Sequence, residues 1–286
     1  MTSAELPRHV FGSTGVQVPK IGLGTWYLEQ SDAKTAIAAV KTALELGLTH
    51  IDTAELYGSG EAESLVGRAI EGRRQDVFLV SKIIPSNASR KGTITHCEQT
   101  LERLRTDHLD CYLLHWPGEH PLEDTIAALE ELVSSGKTRA WGVSNFDEDE
   151  LASALEIAGP GRIACNQVLY HLEERGIEHA VIPWCEENGV AVVGYTPFGQ
   201  HRQYPPRGAA GNVLSQVAEA HGATPRQVAL AFLTRHPGTF AIPKSTNPEH
   251  LRENAGGARL SLSSADIAVI ERAFPIGRRR RGVAML

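Results

Sequence analysis

The stretch His50-Ile51-Asp52-Thr53-Ala54 ends a short apolar run on a carboxylate. The same order, polar after apolar, recurs at Lys82, His115 and Asn145, so that the four polar residues stand 30 to 33 positions apart. That interval is about one strand-plus-helix unit of an α/β barrel, in which reactive groups lie at the carboxyl ends of the strands. The spacing therefore predicts that four distant side chains converge on one rim of a barrel.

The rest of the chain continues this rhythm. Strand-like apolar runs are predicted at about 21–25, 50–52, 77–83, 109–114, 139–143, 163–169, 190–195 and 239–243. Helical patterns are predicted at about 32–46, 59–71, 92–104, 122–135, 147–158, 178–188 and 224–235. Since strands that are apolar on both faces alternate with helices, we predict an α/β fold, a (β/α)8 TIM barrel forming one domain over residues 1–286. Its predicted additions are an N-terminal β-hairpin within 8–21 and extra helices at about 212–221, before strand 8, and at 263–274.

Composition narrows the class of protein. The 286 residues carry a net charge of -6, which argues against a general nucleic-acid binder. The sequence contains no run of about 20 apolar residues, so no membrane-spanning helix is expected. Residues 1–5 do not resemble a signal peptide. The four cysteines contain no Cys-x-x-Cys pair, so we expect neither a disulfide framework nor a metal site. We expect a monomeric cytoplasmic enzyme acting on a small molecule.

The side chains at the predicted rim suggest a reaction. Asp52 beside Lys82 would keep the lysine charged, and that charge would lower the pKa of the hydroxyl of Tyr57, five residues beyond Asp52. A phenol titrates near pH 10, so it needs such help to act as an acid–base catalyst at neutral pH. His115 can donate a hydrogen bond to a carbonyl. Together these groups suit protonation of a carbonyl oxygen while hydride reaches the carbon.

Each residue alone also has a structural explanation. A tyrosine after a strand commonly packs or caps, and a lysine or aspartate at a strand end is commonly solvated. A histidine between Leu114 and Trp116 is commonly a hydrogen-bonded core residue. The combination favours function, because unpaired buried charges at successive strand ends are costly.

The chain resembles the aldo-keto reductases from about residue 8 onward. The matching motifs, in order, are Gly22-Leu-Gly-Thr-Trp26, His50-Ile-Asp-Thr-Ala54 with Tyr57-Gly58, Val80-Ser-Lys82, Leu113-Leu-His-Trp-Pro117, Gly142-Val-Ser-Asn-Phe146, Asn166-Gln167, Tyr195-Thr-Pro197 and Ile242-Pro-Lys-Ser245. The resemblance implies a (β/α)8 barrel that binds NADPH across the strand ends and reduces aldehydes or ketones to alcohols. It implies Tyr57 as general acid, Lys82 and Asp52 as its tuning partners, and His115 as the group that orients the carbonyl.

The resemblance also implies binding residues. Those for the cofactor are Gly24, Thr25, Trp26, Asp52, Ser144, Asn145, Gln167, Tyr195, Pro197, Phe198, Gly199, Lys244, Ser245, Thr246, Asn247, His250, Glu253 and Asn254. Those for the substrate are Trp26, Tyr27, Tyr57, His115 and Trp116. The alternative for Ser144 and Gln167 is hydrogen bonding to the backbone of the barrel, and for Tyr195 it is core packing.

Some positions depart from the family pattern. His250 stands where many members have an arginine on the cofactor 2′-phosphate, so NADH use beside NADPH is compatible with the sequence. Leu172 replaces a common proline and Thr196 a common serine. The C-terminal region is short, which predicts a more open pocket. The run Arg278-Arg279-Arg280-Arg281 is interpreted as a solvated tail, or as a surface that attracts anions to the pocket mouth.

Two other functions remain as alternatives. A Schiff-base aldolase would use Lys82, but it needs a lysine whose pKa is lowered, whereas Asp52 should keep it charged. A cofactor-binding regulatory or structural barrel would lack catalysis. A Rossmann fold is rejected, because Tyr27 stands where the third glycine of the fingerprint would be.

Overall fold

A closed parallel barrel forms the centre of the molecule, whose computed structural model describes residues 5–200 and 204–286. The eight barrel strands follow a two-stranded hairpin, β1 (Arg8–Val10) and β2 (Gln17–Pro19). The barrel strands are β3 (Leu23–Gly24), β4 (His50–Asp52), β5 (Phe78–Ile83), β6 (Leu109–Leu114), β7 (Thr138–Ser144), β8 (Ile163–Leu169), β9 (Ala191–Tyr195) and β10 (Thr239–Ala241). Each strand pairs in parallel with the next along the chain, so all eight carboxyl ends meet at one rim.

Backbone hydrogen bonds between the first and last strand regions close the barrel. Gly22 N–H donates to the carbonyl of Ala241 at 2.9 Å, and Ala241 N–H donates to the carbonyl of Lys20 at 2.8 Å. A Cβ at Gly22 would lie 2.5 Å from the carbonyl oxygen of His50. Glycine is therefore required at position 22, where the backbone approaches that of β4 closely.

Helices cover the outside of the barrel. They are α1 (Ala33–Glu45), α2 (Glu61–Ala69), α3 (Arg90–Leu104), α4 (Leu122–Ser134), α5 (Glu148–Ala158), α6 (Val181–Asn188), α7 (Ala209–Ala220), α8 (Pro225–Leu233), α9 (Pro248–Gly257) and α10 (Ser264–Ala273). Several begin with the capping chemistry that their sequence offers. Thr224 and Gln227 form a reciprocal capping box with Pro225 at the first helical position, and Asp32 accepts from Thr35 N–H as the N-cap of α1.

The hydrophobic core has two parts. A larger part lies between the sheet and the helices, and a smaller one fills the barrel interior. The hairpin covers the amino-terminal end of the barrel, where the Phe11 ring lies 4.8 Å from that of Phe78 and 5.1 Å from that of Phe240. With this end filled by aromatic rings, the carboxyl-end rim is where a ligand has room.

All eight predicted strands and the hairpin are confirmed, with ends that differ by a few residues. The predicted helix at 178–188 is shorter, because residues 176–179 form a 3₁₀ turn before α6. Helix α9 was missed, although Asn247 caps it and Pro248 occupies its first position. The extra helix predicted at about 212–221 begins earlier, since α7 starts at Ala209. No helix of the described residues is long and apolar enough to cross a membrane.

Candidate active site

Lysine, aspartate and tyrosine meet at the ends of two adjacent strands. Asp52 is the last residue of β4, Lys82 lies near the end of β5, and Tyr57 follows on the loop after β4. The Nζ of Lys82 lies 2.5 Å from Asp52 Oδ1 and 3.1 Å from the hydroxyl oxygen of Tyr57. It also donates to the carbonyl of Thr53 at 2.9 Å. The predicted convergence therefore occurs, and the lysine has three oxygen partners, the number its ammonium can satisfy.

The lysine stays charged despite its burial. Lys82 and Asp52 are 0% and 1% exposed. Desolvation by burial acts to lower the pKa of Lys82, but the charges and hydrogen bonds of Asp52 and Tyr57 outweigh it, and the pKa is raised. Burial raises the pKa of Asp52, against the opposing effects of Lys82 and Gln167. A lysine held as an ammonium cannot attack a carbonyl, so the aldolase alternative loses its nucleophile.

The pKa of Tyr57 is raised, whereas the sequence-based expectation was that Lys82 would lower it. Lys82 does lower the pKa of Tyr57 through its charge and hydrogen bond, but burial raises this pKa by more, and Asp52 adds to the rise. The net direction is upward, because the cavity wall removes water from the phenol. Tyr57 is therefore a protonated donor at neutral pH, and Lys82 limits the cost of forming its phenolate.

His115 follows β6 directly and faces Tyr57. Its ring centroid lies 5.8 Å from that of Tyr57, and its Nδ1 is buried with no hydrogen-bond partner among the described residues. Burial, and then the charge of Lys82, lower the pKa of His115 to about 2. The imidazole is therefore neutral, so it can orient a carbonyl through a hydrogen bond but does not supply the proton.

A second hydrogen-bond network joins the far wall to the acid–base group. Gln167 on β8 donates from Nε2 to Asp52 Oδ2 at 2.7 Å, and the Ser144 hydroxyl donates to the backbone carbonyl of Gln167 at 2.8 Å. Asn145 donates to the carbonyl of His115, and its Oδ1 accepts from the Tyr195 hydroxyl at 2.9 Å. Ser144 thus makes the hydrogen bond to the barrel backbone that was its alternative explanation, whereas the side-chain amide of Gln167 donates to the carboxylate of Asp52.

These groups surround one cavity of about 470 Å³ at the carboxyl-end rim. The predicted site residues that line it are Gly24, Thr25, Trp26, Tyr27, Asp52, Tyr57, His115, Trp116, Ser144, Asn145, Gln167, Tyr195, Pro197, Phe198, Gly199 and Lys244. Lys82 lies behind Asp52 and Tyr57 and contacts the cavity through them. The Trp26 and Tyr27 rings stack at 4.5 Å and form an apolar side of the mouth.

The remaining predicted residues lie beyond this cavity, at α9 and the segment before it: Ser245, Thr246, Asn247, His250, Glu253 and Asn254. The structure therefore does not bring them together with the catalytic group. One of them has an unused polar atom, because Asn254 is 1% exposed and its Oδ1 has no hydrogen-bond partner among the described residues. A buried acceptor of this kind suits a ligand donor.

Sequence reasoning missed several lining residues, which are Leu56, Thr196, Gln200, Ile242, Pro243, Met285 and Leu286. Thr196, Ile242 and Pro243 stand within the family motifs and Leu56 stands next to one, so these four could have been found by assigning whole motifs to the site. Met285 and Leu286 carry no local signal, since their place depends on how the segment after α10 crosses the rim. The short C-terminal region thus supplies part of the cavity wall through these two residues.

The family comparison agrees with this geometry. The sequence model of the Aldo/keto reductase family matches residues 20–274. Methylglyoxal reductase YeaE of Escherichia coli (strain K12) is 42% identical over 276 residues, which cover 96% of this chain and 97% of that protein. Glyoxal reductase of Bacillus subtilis (strain 168) is 34% identical, over 90% of this chain and 89% of that protein.

Solved structures give the same result. The crystal structure of an aldo-keto reductase from Klebsiella pneumoniae in complex with NADPH has a TM-score of 0.91 and 41% identity, and covers 98% of this chain and 99% of that one. A thermostable aldo-keto reductase, Tm1743, in complex with the inhibitor epalrestat has a TM-score of 0.88 and 39% identity. That alignment covers 94% of this chain and 100% of Tm1743.

Proposed function

Because this chain belongs to the aldo/keto reductase family and is an NADPH-dependent enzyme that reduces carbonyl groups, we propose that Tyr57 is its proton donor, with small dicarbonyls as substrates. The observation that carries the proposal is the 3.1 Å contact between Lys82 Nζ and the Tyr57 hydroxyl. The ammonium donates to the phenol oxygen, which leaves the phenol proton free to point into the cavity.

The proposed reaction divides the work between cofactor and protein. NADPH, when bound, supplies the hydride that reduces the carbonyl carbon. His115, as a neutral imidazole, donates a hydrogen bond to the carbonyl oxygen and orients it toward Tyr57. Tyr57 then gives its proton to that oxygen, and Lys82 stabilises the phenolate that remains. Asp52 keeps Lys82 charged throughout, so the proton is replaced from solvent without loss of the ion pair.

The residues present fit a nicotinamide dinucleotide. The Tyr195 ring lies at the cavity wall, where it can stack on the nicotinamide, and its hydroxyl is held by Asn145. Lys244 also lines the cavity, where a cation can meet a phosphate. The unpaired Oδ1 of Asn254 suits the amino group of an adenine. We propose that Ser245, Thr246, Asn247, His250 and Glu253 complete this end.

The substrate proposal comes from the relatives and from the cavity. The names methylglyoxal reductase and glyoxal reductase belong to proteins 42% and 34% identical to this chain. Around the catalytic group the mouth is formed by Trp26, Tyr27, Leu56 and Trp116. None of these side chains is charged, so a neutral dicarbonyl enters without the cost of burying a carboxylate.

Steady-state reduction of methylglyoxal, glyoxal and simple aldehydes, followed by NADPH absorbance, tests this proposal. We expect methylglyoxal to give the highest kcat/KM of the panel. The same assay with NADH, and with a His250→Arg variant, measures the contribution of the 2′-phosphate. Arginine at 250 should raise the preference for NADPH by about tenfold, because it binds phosphate through two hydrogen bonds. Activity with none of the dicarbonyls would reject the substrate proposal.

We further propose a single-domain monomer in the cytoplasm. Five of the eight exposed large hydrophobic residues of the described chain line the catalytic cavity, Trp26, Tyr27, Leu56, Met285 and Leu286, so they do not form a separate apolar patch for a partner. The four cysteines are buried free thiols, as suits a reducing compartment. Light scattering on the purified protein should give the mass of one 31.0 kDa chain, and a mass of two chains would reject the monomer.

A further inference from the structure

A buried carboxylate outside the cavity connects the two catalytic loops. Glu55 lies on the loop between β4 and Tyr57 and is 9% exposed. Its Oε1 accepts from the backbone N–H of Ile84 at 2.9 Å and from Asn87 Nδ2 at 3.0 Å. Its Oε2 lies 2.7 Å from His96 Nδ1 on α3. Glu55 is not among the residues that line the cavity, so it has no contact with a substrate there.

The positions of these partners are symmetric about the catalytic contact. Glu55 stands two residues before Tyr57, and Ile84 stands two residues after Lys82. The backbone N–H of Glu55 also donates to the carbonyl of Lys82 at 3.3 Å. The carboxylate of Glu55 therefore holds the tyrosine loop to the end of β5 close to the 3.1 Å contact between Lys82 and Tyr57.

Apart from the bonds of Lys82 itself and the backbone hydrogen bonds of residues 53 and 55 to β5, the anchors of the tyrosine loop are local or lie toward Glu29. Tyr57 N–H donates to the carbonyl of Ala54, and Ser59 N–H donates to that of Leu56, within the loop itself. Gly58 packs against Glu29, on the side away from β5. Among the described residues, Glu55 provides the side-chain hydrogen bonds between residues 53–60 and 83–89. Its bond to Ile84 is charge-assisted, and such bonds are roughly twice as strong as neutral ones.

We propose that Glu55 is a positioning residue, which fixes the distance between Tyr57 and Lys82 by joining their loops through Ile84, Asn87 and His96. The inference rests on the proposed role of Tyr57 as proton donor. Proton transfer depends steeply on geometry, and an error of about 1 Å can cost about a hundredfold in rate. The titratable groups that face Tyr57 are Lys82, Asp52 and His115, while His96 faces Glu55.

The test compares Glu55→Ala with a matched control, Asp110→Ala. Glu55 binds the backbone just after the end of β5, whereas Asp110, on β6, binds the backbone near the start of β5. Asp110 accepts from the backbone N–H of Leu79 at 2.8 Å and pairs with Arg74 at 2.8 Å, far from the rim. Asp110→Ala therefore also removes a carboxylate that holds a backbone N–H of the β5 region and a basic side chain. We expect both variants to lower the melting temperature, whereas the kcat of Asp110→Ala stays at the wild-type value.

Glu55→Ala should lower kcat by tenfold to a hundredfold, on the order expected for a misplaced donor, with KM and NADPH affinity nearly unchanged. The alkaline limb of its kcat profile should move to higher pH, because a more distant Lys82 stabilises the phenolate less. Glu55→Gln keeps an oxygen for Ile84 and Asn87, so it should recover most of the rate. If Glu55→Ala does not fold, Glu55→Asp, which is one methylene too short, carries the same expectations.

A Glu55→Ala enzyme that loses stability like Asp110→Ala but keeps the wild-type kcat and pH profile would overturn the inference. Tyr57→Phe, measured in parallel, separates this failure from a failure of the proposed function. If Tyr57→Phe is inactive and Glu55→Ala has full activity, only the positioning role of Glu55 is rejected. If Tyr57→Phe is active, the proton donor itself is wrongly assigned.

Discussion

Gln167 donates a hydrogen bond from Nε2 to Asp52 Oδ2 at 2.7 Å, across 115 positions of sequence and from β8 to β4. Asp52 Oδ1 meanwhile lies 2.5 Å from Lys82 Nζ. Both oxygens of the buried carboxylate are therefore occupied, one by Lys82 and one by Gln167 of the opposite cavity wall. The carboxylate joins Tyr57 and Lys82 to the wall formed by β8 in one hydrogen-bonded unit, which links the proposed proton donor to the proposed cofactor site.

Replacing Gln167 with leucine should lower both the free energy of unfolding and the affinity for NADPH. The variant leaves Asp52 Oδ2 buried without this donor, which costs about 1–3 kcal/mol of the free energy of unfolding. Urea unfolding without cofactor and fluorescence titration with NADPH measure the two effects. Gln99→Leu, at an exposed position of α3, is the control and should change neither. Unchanged stability in Gln167→Leu would mean that the hydrogen bond to Asp52 contributes nothing.

Removing the ammonium should separate stability from catalysis. In Lys82→Met the buried carboxylate of Asp52 loses its cation, which should cost about 3–5 kcal/mol of stability and reduce kcat by about a hundredfold or more. The double variant Asp52→Asn/Lys82→Met buries no unpaired charge, so it should regain part of the stability but none of the rate. Melting temperature and kcat of both proteins give the comparison. Recovery of the rate in the double variant would exclude Lys82 as the group that stabilises the phenolate.

A second ion-pair network, away from the cavity, predicts acid sensitivity. The carboxylate of Glu178 accepts from Arg175, Arg235 and the Tyr170 hydroxyl at 2.6–2.7 Å. Burial acts to raise the pKa of Glu178, but these hydrogen bonds and the two arginine charges lower it to about 2. Since the folded pKa lies below the ordinary value of 4.5, the stabilisation is present above about pH 4.5 and lost as the pH falls toward 2.

The stabilisation that the ionised Glu178 carboxylate gives the folded state should be on the order of 2 kcal/mol, after reduction by solvent screening at the partly exposed edge of the network. Urea unfolding of wild type and Glu178→Gln at neutral and acidic pH measures it. The variant should be less stable at neutral pH, and its loss relative to wild type should shrink in acid. A loss of equal size at both pH values would show that the carboxylate charge is not responsible.

The arginine run gives a prediction about substrate charge. Arg279 pairs with Glu148, and Arg280 lies 3.8 Å from Glu174. The four arginines of residues 278–281 border a separate cavity of about 220 Å³ and do not line the catalytic one. Replacing all four with glutamine should therefore change the KM of benzaldehyde and of carboxybenzaldehyde by the same factor. A selective rise for the anionic substrate would support the alternative that the run attracts anions.

The sequence was sufficient for the features that follow from local pattern. The eight apolar runs predicted the strands, and their spacing predicted that Asp52, Lys82 and His115 share a rim, because parallel strands of a barrel end at one edge. The family motifs then identified most of the cavity wall.

Features that depend on tertiary packing were not predicted. The raised pKa of Tyr57 follows from its burial, which no motif encodes. The place of Met285 and Leu286 depends on the path of the segment after α10, and the bond between Gln167 and Asp52 spans half of the barrel. Glu55 carried no signal because its partners lie on the loop after β5 and on α3. The missed helix α9 is different, since its Asn-Pro start was visible in the sequence.

The proposed function depends on Tyr57, held 3.1 Å from the Lys82 ammonium, giving its proton to the carbonyl oxygen. Tyr57→Phe removes only the hydroxyl and keeps the ring beside His115. The most direct test is the kcat of this variant with methylglyoxal, together with its dissociation constant for NADPH. We expect kcat to fall by about a thousandfold or more while NADPH binds as tightly as to wild type. A kcat close to that of the wild-type enzyme would contradict this role of Tyr57.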